Sequence, residues 1–248
     1  MTSTTVLGCR VDTIGSGAAV RRIVELARGT DPALVVTLGT EMAVYAQHDA
    51  RFRAVVNGAA LSLCDTVGVQ WAAGMRGAAI PERVAGIELL EPLCAALAGD
   101  GLPVFLLGAR GDTARRAADV LVGAHPELIV AGVHDGYFSD AESAGVAAQV
   151  AASGARVLLA GLGSPRQEFW IAEHLAATGA SVGIGVGGSF DVLAGNVRRA
   201  PLAWRRARAE WLYRLATEPR RWRRQLALPR FVVLALRERW FPTRRFVF

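Results

Sequence analysis

An aspartate that follows directly on an apolar run is the first residue of this 248-residue chain whose position suggests chemistry. Leu61-Ser-Leu-Cys-Asp65-Thr-Val-Gly reads as a short strand, a carboxylate, and a helix beginning near Val67. In an open α/β sheet that edge is where ligands bind. There Asp65 can take the proton of a substrate hydroxyl as a new bond forms, which is the work of a general base. It can equally cap the helix that follows, because Asp is a preferred N-cap. Spacing alone does not separate the two roles.

Three glycine turns reinforce the same edge. Leu107-Gly108-Ala-Arg-Gly111-Asp, at a strand-to-helix junction, can aim backbone N–H groups and a helix N-terminus at a diphosphate, although it lacks a full dinucleotide fingerprint. Gly161-Leu-Gly163-Ser-Pro-Arg166-Gln167-Glu168 leads through a proline into three consecutive polar residues that a purely structural helix start does not require. Gly185-Val-Gly-Gly-Ser-Phe-Asp191 ends in a carboxylate able to accept from a base or sugar group, and otherwise reads as a tight packing turn. His48, His125, His134 and His174 show no metal-ligand spacing, and no D-x-D is present, so no metal and no cofactor are expected. A departing diphosphate would then need guanidinium groups, which match phosphate geometry bidentately, and Arg83, Arg214, Arg221 and Arg224 are the candidates. Arg221 and Arg224 lie one helical turn apart and can share a face.

The elements that must position these residues follow from the hydrophobic pattern. Short β-branched or aliphatic runs predict strands near 33–38, 60–64, 103–107, 128–133, 156–160 and 181–186, with residues 5–11 as an added edge strand. Longer alanine-rich stretches predict helices near 15–28, 41–57, 86–98, 111–123, 140–152 and 165–177. That alternation implies an α/β, Rossmann-like domain: a mostly parallel sheet with helices on both faces. The strand signal stops after Asn196, which divides the chain into a catalytic domain over 1–196 and a helical appendage over 197–248.

Charge sharpens the division. Residues 1–197 carry 13 arginines against 19 acids, whereas 198–248 carry 15 arginines against 3, so the net charge of +6 conceals a strongly basic tail. Four of the six tryptophans, Trp204, Trp211, Trp222 and Trp240, lie in that tail. Basic residues interleaved with aromatic and aliphatic ones suit an anionic bilayer surface, and Phe231-Val-Val-Leu-Ala-Leu236 is expected to dip into it. The blander reading is an amphipathic helix packed on the domain. Nucleic acid would also attract such charge, but is not the expected partner. No apolar stretch approaches the roughly 20 residues of a spanning helix. Cys9, Cys64 and Cys94 form neither a disulfide framework nor a zinc motif, and no secretory leader is read at the N-terminus. The expected location is therefore cytoplasmic, peripheral at the inner face of the cell membrane.

Taken together, several segments resemble the WecG/TagA/CpsF family of bacterial glycosyltransferases, glycosyltransferase family 26, from about residue 33 to 224. They are Thr37-Leu-Gly-Thr-Glu41-Met, Cys64-Asp65-Thr-Val-Gly68, Pro81-Glu-Arg83-Val-Ala-Gly86, Val104-Phe-Leu-Leu-Gly108, His134-Asp-Gly-Tyr-Phe138, Gly161 to Glu168, Gly185 to Asp191, Arg199-Ala-Pro201, and Glu210-Trp-Leu-Tyr-Arg214 with Glu218-Pro-Arg-Arg221. Each is modest alone, and nine in one order are specific. The resemblance implies a metal-independent, inverting transfer of N-acetylmannosamine or a related hexose. The donor would be a UDP-sugar and the acceptor a polyprenyl-diphosphate-linked saccharide, in cell-surface polysaccharide or teichoic-acid-type synthesis. It implies Asp65 as the base, Thr37 and Gln167 in the sugar and acceptor pocket, and Arg214, Arg221 and Arg224 closing over the diphosphate when the tail meets the membrane. One position departs: the family usually has Asn two residues after the Thr, and this chain has Gly39.

Two other classes compete. A nucleotide-dependent oxidoreductase fits the fold but predicts a complete glycine fingerprint with an acid about 20 residues on. A non-catalytic nucleotide- or membrane-binding protein leaves Asp65, Arg166 and Gln167 without a purpose. Whether the chain forms a homo-oligomer is left open by the sequence.

Overall fold

The computed structural model describes residues 2–198, 200, 201, 204, 212, 213 and 226–240. Its centre is a six-stranded sheet in the order β4-β3-β8-β7-β5-β6, every pairing parallel. The strands are β3 (Ala33–Leu38), β4 (Leu61–Cys64), β5 (Val104–Gly108), β6 (Val130–His134), β7 (Val157–Gly161) and β8 (Val182–Gly185). All six expected strands are present within two residues.

Period-two alternation divides their side chains between two apolar layers. Val35, Leu61, Leu63, Val104, Leu106, Val157, Leu159, Val182 and Ile184 face α1 (Ser16–Arg28), α5 (Gly86–Gly99), α6 (Thr113–Ala124) and α9 (Ser189–Leu193). On the opposite face Phe105, Leu107, Leu158 and Ala160 meet α7 (Ser143–Ser153) and α8 (Arg166–Thr178). There too Val36, Leu38 and Cys64 meet α2 (Thr40–Tyr45), α3 (Ala50–Gly58) and α4 (Val67–Met75). Strand β8, Val182-Gly-Ile-Gly185, shows the logic in miniature. A Cβ at Gly183 would stand 2.5 Å from Ile171 Cγ2, so the α8-facing side of β8 must be glycine for the helix to lie directly on the strand.

Three elements differ from expectation. Residues 5–11 do not extend the main sheet. They belong to a separate two-stranded antiparallel hairpin, β1 (Ser3–Val6) and β2 (Cys9–Asp12). The turn between them is Leu7-Gly8, with φ of 50° and 73°, the left-handed pair that two-residue hairpin turns favour. The helix expected over 41–57 is broken between Tyr45 and Ala50, and Asp49 caps the second piece by accepting from Phe52 N–H at 2.8 Å.

The third is the C-terminal helix α10 (Ala227–Trp240), which packs on α2 and α4. Phe231, expected to reach lipid, is instead 1% exposed, with Ala235 buried one turn on. Glu238, two turns from Phe231, accepts from Leu7 N–H at 3.0 Å and pairs with Arg76 at 3.3 Å. The opposite face of α10 carries exposed Val232, Val233, Leu236 and Trp240. Among the described residues no helix is long and apolar enough to cross a membrane.

Candidate active site

All the glycine turns singled out above lie at the carboxyl edge of the sheet. Gly108 has φ 142°, and a Cβ there would stand 2.5 Å from the Gly161 backbone. A Cβ at Gly161 would meet Phe190 at 2.8 Å and Gly187 O at 3.0 Å. The ends of β5, β7 and β8 therefore touch backbone to backbone, a closeness only glycine permits.

Asp65 is half-buried at the tip of β4, its N–H continuing the ladder to Leu38 O at 3.1 Å. It does not cap α4. Thr66 does, accepting from Val69 N–H. The segment before α5 instead runs along the free edge of β4, with Val84 N–H donating to Cys64 O at 2.7 Å, and delivers Gly86 N–H to Asp65 Oδ1 at 3.0 Å. The carboxylate thus meets the first turn of a 14-residue helix 21 positions on, an end that attracts negative charge.

Thr37, on the neighbouring strand, donates its hydroxyl to Gly185 O at 3.0 Å. Gly86 lies between the two: a Cβ there would be 3.7 Å from Thr37 Oγ1, from Ser189 Oγ and from Val186 O. Gln167 reaches the same strand end from the α8 side. Its Oε1 accepts from Gly187 N–H at 3.1 Å, and its Nε2 donates to Glu168 Oε1 at 2.7 Å. Asp65, Thr37 and Gln167 are therefore linked through Gly86 and the β8 turn. A Cβ at Gly39 would lie 3.5 Å from Thr66 Cγ2 and 3.7 Å from Asp65 Oδ2, so this position borders the carboxylate and a Cβ would sit there in ordinary contact.

The arginines and flanking residues are placed less uniformly. Arg83 sits on the segment beside β4 and forms an ion pair with Glu88 at 3.1 Å. Arg166 directs its guanidinium at the carbonyls of Gly136 and Phe138, both at 2.7 Å, and lies over the Phe138 ring. That bonding ties the start of α8 to the segment after β6. Gly163, at φ 79°, turns the chain from β7 into α8, its carbonyl accepting from Gln167 N–H. Asp191 stands on α9 beside the start of α6, where Asn196 bridges it, at 3.4 Å, to Thr113. Arg214, Arg221 and Arg224 lie outside the described residues. Among the described residues no group of three or more His, Cys, Asp or Glu could hold a metal ion.

Burial pushes the Cys64 thiol up to about 12, with the Asp65 charge adding to the effect and Arg83 opposing it. Glu168 is 1% exposed, and burial holds its carboxyl above the usual carboxylate range against the hydrogen bonds from Gln167 and Ser164. Gly86, Ser189 and Glu168 were not among the sequence-derived site residues. All three lie inside recognisable segments, but only the crossing of the chain at β4 and β8 reveals their contacts.

The sequence model of the glycosyl transferase WecG/TagA/CpsF family matches residues 4–245. Among curated proteins, an N-acetylglucosaminyldiphosphoundecaprenol N-acetyl-beta-D-mannosaminyltransferase of Bacillus spizizenii is 35% identical over 205 residues, covering 83% of this chain and 79% of the relative. A protein of the same description from Bacillus subtilis is 32% identical over 206 residues, 83% and 80% of the two chains.

Proposed function

Because the chain belongs to the WecG/TagA/CpsF family of glycosyl transferases, we propose that it moves N-acetylmannosamine or a related hexose from UDP to a polyprenyl-diphosphate-linked saccharide, with inversion and without a metal ion. Asp65 takes the proton of the acceptor hydroxyl while that oxygen attacks the anomeric carbon from the face opposite the nucleotide. The bond from the anomeric carbon to the β-phosphate oxygen breaks, and its electron pair leaves with UDP. Guanidinium groups, Arg83 and the tail residues Arg214, Arg221 and Arg224, take up the departing charge. Thr37 and Gln167 hold the sugar and acceptor, while Gly108, Gly163 and Asp191 serve the nucleotide side, which Arg166 shapes by tying the start of α8 to the segment after β6.

The observation that carries this reading is the strand-end carboxylate of Asp65, bonded to the first N–H of α5 and joined through Gly86 to Thr37. A general base must be held in one orientation by the protein, and Asp65 has such an anchor. Gly39 borders Asp65 where the family usually carries Asn, so the sugar is the feature most open to difference from the Bacillus relatives.

The acceptor is a membrane lipid, and α10 offers a matching surface. Its inner face docks on the helices that follow Thr37 and Asp65, and its outer face presents Val232, Val233, Leu236 and Trp240, the last 72% exposed. Each basic residue near an anionic surface adds about 1 kcal/mol of attraction. Mass spectrometry of the products from a panel of UDP-sugars with a short polyprenyl-diphosphate saccharide, with chelator present, tests the proposal. One UDP-sugar should yield a product one sugar heavier; no product from any donor, or product only with added divalent cation, overturns it.

A further inference from the structure

Among the described residues, Glu168 is the buried carboxyl beside the site that the mechanism above does not use. Its Oε1 accepts from Gln167 Nε2, whereas Oε2 is buried without a hydrogen-bond partner. A buried carboxylate with an idle oxygen and no cation would carry a heavy desolvation cost, which a bound proton removes.

Among the described residues the surroundings supply no compensating charge. On α8 itself, Arg166 is spent on the Gly136 and Phe138 carbonyls, Glu173 pairs with Arg51 of α3, and His174 lies against Trp170. On and before α3, Arg53 donates to Ala46 O, and Asp49 caps its own helix. Strands β3, β7 and β8 and helix α7, the other elements packed on α8, contain no ionisable residue. The polar groups that act on the carboxyl are the Gln167 amide, the Ser164 hydroxyl and the residue's own backbone N–H, and burial outweighs all three.

We propose that Glu168 is a positioning residue that works as an uncharged acid, fixing the Gln167 amide and, through it, the Gly187 turn beside Thr37. As acceptor from Gln167 Nε2, it decides which way round the amide lies, leaving Oε1 to receive Gly187 N–H. The pair rests on Gly185, where a Cβ would stand 2.5 Å from Gln167 Nε2 and 3.1 Å from Glu168 Oε1. Gly185 O in turn receives the Thr37 hydroxyl. The effect on catalysis rests on the functional reading above, but the protonation and the positioning do not, and the tests separate them.

Thermal and urea unfolding of the wild type and Glu168→Gln between pH 5 and pH 7 read the protonation. Above the ordinary glutamate range the unfolded chain releases this proton while the folded chain keeps it, so the wild type loses stability with rising pH. Relative to Glu168→Gln its folding equilibrium constant should fall about tenfold per pH unit until the folded carboxyl ionises. A pH-independent difference overturns the uncharged form. Amide exchange of Gly187 reads the positioning without any substrate: it should quicken in Glu168→Ala and return toward wild type in Glu168→Gln. Equal protection in all three proteins overturns it. With UDP-N-acetylmannosamine and a polyprenyl-diphosphate N-acetylglucosamine, Glu168→Ala should lower kcat about 100-fold with little change in KM. Glu168→Gln should recover kcat and lack the alkaline limb of the wild type. If the wild type transfers no sugar, the functional reading fails while the unfolding and exchange results still decide the role of Glu168.

Discussion

Replacing Gly185 with alanine tests the site architecture with a single methyl group. Gly185 has no positive φ, so the backbone accepts alanine and only space opposes it. The new Cβ would lie 2.5 Å from Gln167 Nε2 and 3.0 Å from its Cδ, where ordinary contact begins near 3.4 Å. The amide must retreat by about 1 Å, enough to break the 3.1 Å bond from Gly187 N–H and to disturb the 2.7 Å contact with Glu168. Two lost hydrogen bonds, with the buried groups they leave unpaired, cost about 2–4 kcal/mol. Set against a total stability of about 5–15 kcal/mol, the variant remains folded. A misplacement of that size at a substrate-positioning residue lowers turnover about 100-fold. Gly183→Ala is the control: its Cβ would meet Ile171 Cγ2 at 2.5 Å, an apolar overpacking worth about 1–3 kcal/mol that touches no site group. Urea unfolding paired with product formation should show both variants destabilised and only Gly185→Ala impaired in transfer. Wild-type turnover in Gly185→Ala would refute the view that the Gln167 amide must hold its place.

Phe231→Ala should free α10 from α2 and α4, since truncating a buried Phe costs about 3–5 kcal/mol. Hydrogen exchange over residues 227–240 should rise sharply, and unchanged protection would show that the helix is held by other contacts. Burial raises the thiols of Cys9, Cys64 and Cys94 to about 11, 12 and 12, so they stay protonated at neutral pH and should resist iodoacetamide until the protein is unfolded. Rapid alkylation of the native protein beside Asp65 would contradict the packing of β4. Replacing Arg221 and Arg224 together with alanine should weaken UDP binding and lower turnover, and unchanged values for both would remove these residues from the diphosphate site.

The sheet was legible because strands buried on both faces are near-continuous apolar runs, as Ala33–Leu38 and Val157–Gly161 are. The hairpin was not, since Leu7-Gly8 interrupts two four-residue strands too briefly to look like a turn, and Leu7 adopts a positive φ that its type does not announce. Asp49 marks the break between α2 and α3, but a continuous helical period masked it. Phe231 looked lipid-facing because an apolar run carries no sign of which residue packs inward. Its burial follows from the face it shares with Ala235 and Glu238. Asp65 could be read as cap or base, and it meets a helix that spacing did not suggest, because Gly86 arrives along the edge of β4 from 21 residues away. Gln167 was visible as an excess of polarity at a helix start. The dependence of its orientation on Glu168 exists only in three dimensions.

The most direct test of the account is single-turnover sugar transfer by Asp65→Asn against wild type, in chelator, with UDP affinity measured on the same samples. The asparagine keeps an oxygen for Gly86 N–H but cannot accept a proton as a base does, so transfer should fall by about 10²–10⁴ while UDP affinity is retained. Transfer near the wild-type rate, or a loss of transfer matched by loss of UDP binding, would contradict the assignment of Asp65 as the group that activates the acceptor.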